Sequence, residues 1–176
     1  KATDIGKETF IPYIKSIGVK SYDELASWIV SRIAFFHSMG CRLSNHAMEY
    51  IPFAIGDASA VFEKKMNGGT LTVTEIDAFK TALLSVCATE YTRLGWTMQL
   101  HIGAKRATST RLRRIAGPAG GYAAIGRCVD VSSLTAFLDG VEGGGVLPKT
   151  VLFTLNPADN AVMAILSGSY SRDDVQ

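Results

Sequence analysis

The chain has 176 residues, 47% of them hydrophobic, which is enough to bury the core of one ordinary domain and excludes an extended disordered protein. Its 18 basic and 16 acidic residues give a formal charge of +2, too small a field to call for nucleic acid or an anionic membrane as partner. No apolar stretch approaches the roughly 20 residues that cross a bilayer. We therefore expect a soluble chain with no nucleic-acid and no membrane partner.

Cysteine usage and the chain ends add two expectations. Cys41, Cys87 and Cys128 lie far apart with no CxxC pair, so neither a disulfide framework nor a zinc knuckle is predicted, and a cytoplasmic location fits best. The chain begins with Lys1 rather than Met and shows no closing element before Gln176. These ends favour a piece of a longer protein.

The first predicted elements are a helix and a strand. Ser21 and Glu24 have capping-box spacing, and apolar residues then recur at helical intervals, which predicts an amphipathic helix over 21–38. Gly40 should end it. A short strand over 41–44 is expected next, leading into Asn45 and His46.

Two helices and a strand follow in the middle of the chain. A weaker helical pattern covers 57–66, and Thr72 with Glu75 forms a second capping box for a long helix reaching about Leu94. Gly95 then introduces a run of strand formers that ends at His101. The last predicted elements are a helix over 132–138, a strand over 149–155 and a helix over about 158–166.

Helices alternating with short apolar strands predict a helix-rich α/β fold with a parallel sheet, whose ligands bind at the carboxyl ends of the strands. Three strands do not close a barrel, which typically needs about 250 residues. The prediction is a single domain over 1–176 that forms an arc of a (β/α)8 barrel, with a helical insertion at about 47–94. Otherwise the strands form a small open sheet whose edges are free to pair with another chain.

The strand ends supply the candidate site residues His46, His101 and Asn156. One histidine after a strand is more often a structural residue than a ligand or base, but two at equivalent strand ends favour a functional site. His37 is expected on a helix surface without a role.

A basic cluster follows His101 and has three interpretations. The first is a solvated basic helix or loop. The second is a nucleic-acid-binding patch, although the segment lacks the interleaved aromatic residues typical of one. The third is a carboxylate-binding group, since a guanidinium binds a carboxylate with two parallel hydrogen bonds. Of its members, Arg106 is best placed to share a pocket with His101. The glycine-rich stretch over 117–126 lacks the GK[ST] ending of a phosphate loop and is read as a loop over the sheet edge. The cluster consists of Lys105, Arg106, Arg111, Arg113 and Arg114.

One segment carries a family resemblance. Residues 95–104 read GWTMQLHIGA, followed by Arg106, by Thr110 with Arg111, and by GP at 117–118 and GY at 121–122. Together with the blocks FFH…GCRLSNH at 35–46 and LPKT…LNP at 147–157, this pattern closely resembles uronate (glucuronate) isomerases over nearly the whole chain.

The resemblance implies a distorted (β/α)8 barrel of the amidohydrolase superfamily, acting in uronic acid catabolism. Its expected reaction interconverts D-glucuronate and D-fructuronate, or galacturonate and tagaturonate. In family terms His101 resembles the catalytic histidine after the sixth strand and Arg106 a substrate-contacting arginine. His46 resembles a substrate-binding histidine that ends the fifth strand, close to the metal without being assigned as its ligand.

Several departures from the family pattern temper the expected activity. Asn45 stands where the family usually has Asp, and Ala119 where an acidic residue is usual. The resemblance also implies zinc, held by an HxH pair on the first strand and an Asp on the last, and neither motif occurs here. We therefore expect a middle-to-late fragment that binds no zinc and is inactive alone. A non-catalytic assembly module, forming homo-oligomers through open sheet edges, is the alternative.

Overall fold

The computed structural model describes residues 2–117, 120–145 and 147–171. Seven α-helices and five strands lie in these ranges, with one 3-10 turn at Pro157–Asp159. The helices are α1 (Phe10–Ser16), α2 (Tyr22–Ser38), α3 (Ala58–Met66), α4 (Val73–Leu94), α5 (Thr110–Ala116), α6 (Val131–Gly143) and α7 (Asn160–Ser169). The strands are β1 (Leu43–Met48), β2 (Thr97–Ile102), β3 (Ala104–Lys105), β4 (Ala124–Ile125) and β5 (Lys149–Thr154).

Three strands form a parallel sheet in the order β1–β2–β5, as the sequence predicts. Their register aligns Ala47 with His101 and Phe153, so the three carboxyl ends lie at one edge. The helices α3 and α4 fill the connection between β1 and β2. A parallel sheet with helical crossovers is the architecture that the alternating sequence pattern favours.

The two faces of this sheet differ in burial. On the covered face Met98 and Leu100 of β2 are fully buried and Ile102 is 2% exposed. On the open face Val151 and Phe153 of β5 are 38% and 46% exposed. Side chains alternate between the faces along each strand, so one face carries the core and the other is accessible.

The core continues from the covered face into a cluster of aromatic rings. Phe79 of α4 meets Phe10 edge-on at 5.8 Å between ring centroids and stacks on Phe62 at 6.5 Å. All three rings are fully buried. The cluster joins α1, α3 and α4 into one body behind the sheet.

The long helix α4 has a complete capping box at its start. Thr72 Oγ1 accepts a hydrogen bond from the Glu75 N–H at 3.2 Å, and Glu75 Oε2 accepts one from the Thr72 N–H at 2.7 Å. The helix ends at Gly95, whose φ of 66° is the left-handed conformation that glycine adopts without steric cost. Both boundaries predicted from the sequence are confirmed.

The capping box gives a first testable prediction. We expect Thr72→Ala to lower the free energy of unfolding by about 1 kcal/mol, because the Glu75 N–H loses its acceptor. Thr74→Ala is the matched control, since Thr74 is exposed within the first turn and is not the cap. Urea unfolding of both variants measures the difference, and equal losses would show that the cap contributes nothing.

A two-stranded antiparallel ribbon, β3 with β4, stands beyond the carboxyl end of β2 and was not predicted. The Gly126 N–H donates to the Gly103 carbonyl at 2.7 Å. A Cβ on Gly126 would lie 2.9 Å from that same oxygen, so only glycine allows this close approach. The glycine-rich stretch therefore includes a strand rather than forming only a loop, while its Pro118 lies outside the described residues.

Several predicted boundaries shift in the structure. The strand predicted over 41–44 is Leu43–Met48, so Asn45 and His46 lie within β1 and not after it. The last helix begins at Asn160 because the 3-10 turn precedes it. The short helix α1 was not predicted. In the described ranges, no helix is long and apolar enough to span a bilayer.

Candidate functional site

The candidate site lies on the open face at the carboxyl end of the sheet. His101 is the fifth residue of β2, and its partly buried ring meets Phe153 of β5 edge-on at 6.4 Å between centroids. The Phe153 ring thus packs against the imidazole, while this face of the sheet remains accessible. This placement suits a group that exchanges protons with a bound molecule.

Arg106 follows on the segment that leaves β2. Gly103, with φ of 93°, turns the chain into β3, and Arg106 comes directly after Lys105 with its side chain exposed. Ala107 has φ of 56°, an uncommon conformation for a residue with a Cβ. Such outliers concentrate at functional sites. That Arg106 shares a pocket with His101 stays a prediction.

The other cations of the basic cluster do not converge on this site as a group. Lys105 pairs with Glu49 at 2.6 Å. Arg111, Arg113 and Arg114 are exposed along α5, which fits the interpretation of a solvated basic helix.

His46 points to the opposite face of the sheet from His101. Its Nε2 lies 3.1 Å from the Tyr91 hydroxyl of α4, and burial lowers the pKa of His46 to about 4. The two histidines therefore do not share a face of the sheet, because neighbouring strands pair His46 with Leu100 and Ala47 with His101. A substrate-binding role for His46 stays a prediction that this placement does not favour.

The lowered pKa of His46 predicts a pH dependence of stability. In the unfolded chain the imidazole has a pKa near 6.5. Between about pH 6.5 and 4 the unfolded chain therefore binds a proton that the folded chain does not, so stability decreases as the pH is lowered. We expect the drop in unfolding free energy from pH 7.5 to 5 to be about 1–2 kcal/mol smaller in His46→Gln. Urea unfolding at both pH values measures it, with His37→Gln as control. Equal drops in both variants and the parent would contradict the assignment.

Asn45 and Gln99 are site candidates that sequence reasoning did not assign. They align in register, one pleat before His101, and lie on its face of the sheet. Their amides each carry donors and an acceptor that can hydrogen-bond a polar ligand. Alternation along the strand was the signal: Asn45 and His46 cannot face the same side, and pairing decides which joins His101.

Asn156 and His37 have structural partners. Asn156 Oδ1 accepts from the Ala158 N–H at 3.1 Å and caps the 3-10 turn, while its Nδ2 donates to Cys128 Sγ at 3.1 Å. His37 is partly buried rather than on the surface, and its Nδ1 accepts from Trp96 Nε1 at 2.9 Å. Asn156 is therefore a cap of the 3-10 turn, and one ring nitrogen of His37 is occupied by Trp96.

The ligands for zinc are not assembled by the described residues. Within 2–117, 120–145 and 147–171, no group of three or more His, Cys, Asp or Glu side chains lies close enough to hold a metal ion. A structural or catalytic zinc site draws on at least three such ligands. The described part of the chain therefore does not fit a zinc site of its own.

Both edges of the three-stranded sheet border apolar grooves. The groove at β5, about 670 Å³, is lined by β5 and α7, and includes Leu138, Met163 and Leu166. The groove at β1, about 620 Å³, is lined by residues of α2, β1 and α4 that include Phe36 and Leu43. Phe36 and Leu43 are 46% and 53% exposed. Each outer strand thus has an apolar groove beside it.

Known proteins resemble the chain along its whole length. The family model for glucuronate isomerase matches residues 1–176. A uronate isomerase from Caldanaerobacter subterraneus subsp. tengcongensis is 42% identical, with 97% of this chain and 38% of the relative covered. One from Caldicellulosiruptor saccharolyticus is 41% identical over 97% of this chain and 39% of the relative.

The fold agrees with a solved structure. The crystal structure of uronate isomerase from Thermotoga maritima matches 96% of this chain and 39% of that chain, with a TM-score of 0.87 at 25% identity. The curated relatives are thus more than twice as long as the part that this chain matches. The chain belongs to the glucuronate isomerase family and spans about 38% of the length of the uronate isomerases it resembles.

Proposed function

We propose that this chain is the middle-to-late part of an isomerase that interconverts D-glucuronate and D-fructuronate, or galacturonate and tagaturonate. One observation carries the proposal: His101 stands on the open face at the carboxyl end of a parallel sheet, in a chain of the glucuronate isomerase family. The carboxyl ends of parallel strands are where α/β enzymes place their working residues.

The reaction defines what the site residues must do. An aldose becomes a ketose when C2 loses a proton and C1 gains one, while the hydroxyl proton moves from O2 to O1. The imidazole of His101 has ring nitrogens that can accept a proton and return it, which is the acid–base role we assign to it. Arg106 would grip the uronate carboxylate with two parallel hydrogen bonds.

The sheet geometry supports a barrel arc as the finer description of the fold. Three parallel strands with helices on one face, and apolar grooves beside β1 and β5, leave both edges ready to pair with further strands. In the proposed enzyme the open face would line the barrel interior. The isolated chain would then be inactive, because most of the barrel is supplied by other residues.

Zinc in the intact enzyme would likewise depend on the remainder of the protein. The described residues do not assemble three ligands, so the metal would be held by side chains outside this part of the chain. We assign no step of the reaction to it here.

A chimeric isomerase tests the proposed function. This chain would replace the matching segment of the uronate isomerase from Caldanaerobacter subterraneus, which is 42% identical to it. We expect the chimera to convert D-glucuronate into the ketouronate, and the chain alone to show no turnover with or without added zinc. Galacturonate, assayed in parallel, decides the substrate preference.

Two results would overturn this proposal. A correctly folded chimera without isomerase activity would show that the segment no longer supports the chemistry. Turnover by the isolated chain at rates like those of the parent isomerase would show that it is complete. Folding of the chimera is checked by its circular dichroism and its elution volume against the parent enzyme.

The open edges also support the second candidate function, a homo-oligomeric assembly module. Exposed Leu43 on β1 and Val151 on β5 mark edges that another copy could cover. Light scattering of the isolated chain tests this candidate. A mass that rises to a discrete multiple with concentration would favour it, and a monomer mass at all concentrations would exclude it.

A further inference from the structure

Two consecutive residues after β1 contact strand β3 of the β3–β4 ribbon and the segment that follows β4. The first, Glu49, forms an ion pair with Lys105 of β3, in which Lys105 Nζ donates a hydrogen bond to Glu49 Oε1 at 2.6 Å. Lys105 immediately precedes Arg106 in the chain. The carboxylate therefore holds the residue beside the proposed substrate-binding arginine.

The second residue, Tyr50, contacts the other end of the ribbon. The Arg127 guanidinium lies 5.2 Å from the centroid of its ring, two residues after β4 ends at Ile125. The Tyr50 hydroxyl donates to Asp77 Oδ1 on α4 at 2.7 Å, which fixes the ring against the long helix. Burial and the Asp77 hydrogen bond raise the pKa of Tyr50 to about 12, so this donor keeps its proton at neutral pH.

We propose that Glu49 and Tyr50 form a clamp that positions the β3–β4 ribbon and thereby the guanidinium of Arg106. Successive side chains of an extended segment point to opposite sides. Because the Lys105 side chain points towards Glu49, the next side chain, Arg106, should point away from Glu49. The left-handed Ala107 then turns the chain immediately after Arg106.

The clamp deepens the proposed function and rests on it only for the role of Arg106. Both contacts of the clamp come from the segment that follows β1. This segment would therefore position Arg106, which lies in the connection that follows β2. Glu49 and Tyr50 are therefore positioning residues, since Glu49 contacts Lys105 of the ribbon and Tyr50 contacts Arg127 just after it.

Amide hydrogen exchange of the 15N-labelled chain tests the clamp without any ligand. The reporter is the Gly126 N–H, which bonds to the Gly103 carbonyl across the base of the ribbon. We expect Glu49→Gln and Tyr50→Leu each to accelerate its exchange about two- to five-fold, as for loss of a partly exposed ion pair or cation–π contact. The amide of Leu83 in the core of α4 should keep its exchange rate.

A charge swap and a matched control make the result specific. Glu49→Lys combined with Lys105→Glu should restore slow Gly126 exchange, since the pair is re-formed with reversed charges. Glu63→Gln, an exposed change on α3, should leave it unaltered. Unchanged Gly126 exchange in both clamp variants, acceleration shared equally by Leu83, or failure of the swap to restore protection would overturn the clamp.

Titration with D-glucuronate links the clamp to Arg106. We expect Glu49→Gln to raise the apparent Kd for D-glucuronate, measured from the shift of the Arg106 amide resonance, about two- to five-fold. 15N relaxation should show greater mobility at Arg106 and Ala107. If Arg106→Ala leaves glucuronate binding unchanged, the proposed function fails while the exchange result still decides the clamp. If Arg106→Ala abolishes binding and Glu49→Gln changes neither binding nor mobility, the clamp alone fails.

Discussion

His101→Asn in the chimeric isomerase should lower kcat about 10²- to 10⁴-fold, the range lost when a general acid–base group is removed. Asparagine keeps a hydrogen-bonding side chain of similar reach but cannot take up and return a proton. KM for D-glucuronate should change much less, because the carboxylate grip is assigned to Arg106. Steady-state kinetics on purified chimera measure both constants.

The matched control for His101 is another partly buried histidine. His37→Asn removes the acceptor for Trp96 Nε1, yet this side chain lies on α2, away from the open face. We expect its kcat to stay within a few-fold of the parent chimera. A His101→Asn enzyme that also stays within a few-fold would exclude His101 as the proton-transfer group.

Phe79→Ala should remove about 3–5 kcal/mol from the free energy of unfolding. The Phe79 ring is fully buried and packs against Phe10, Tyr22 and Phe62, with ring centroids 5.8, 5.8 and 6.5 Å away. Alanine would leave a cavity where α1, α2, α3 and α4 meet. Urea unfolding monitored by circular dichroism measures the loss, which for a small domain is a large part of its total stability.

Phe35→Ala is the matched control for this core substitution. Phe35 is 47% exposed and its main ring partners are Phe36 and the Arg32 guanidinium, the latter 4.5 Å from its centroid. Loss of this exposed contact should cost about 0.5–1 kcal/mol. Similar losses in both variants would mean that the aromatic cluster at Phe79 does not form the main core.

The candidate chemistry and the candidate assembly surfaces lie on different strands but are in contact. His101 lies on the central strand β2, whereas the apolar grooves border the two outer strands. Phe153 of β5 packs against the His101 ring and also lines the groove beside β5. Light scattering tests edge pairing, and the chimera tests catalysis.

Local signals in the sequence predicted most helices and the middle strand. Ser21 caps α2 by accepting from the Glu24 N–H, and Thr72 caps α4, as the spacing of each pair indicates. Gly95 ends α4 in the left-handed conformation and is followed within two residues by β2. Caps and terminal glycines act within one turn of the chain, so no distant contact is needed to define them. The family resemblance of the segment around His101 was equally local.

Only the tertiary structure decided which side chains share a face. In a strand the side-chain period is two, so a boundary moved by a few residues, as at β1, leaves orientation undetermined until pairing fixes the register. Pairing placed Asn45 on the same face of the sheet as His101, and it placed His46 on the other face, where its ring contacts Tyr91. Likewise the ribbon depends on contacts between distant segments, from Gly103 to Gly126 and from Glu49 to Lys105. Sequence patterns carry local preference, whereas these long-range pairings arise only when the chain packs.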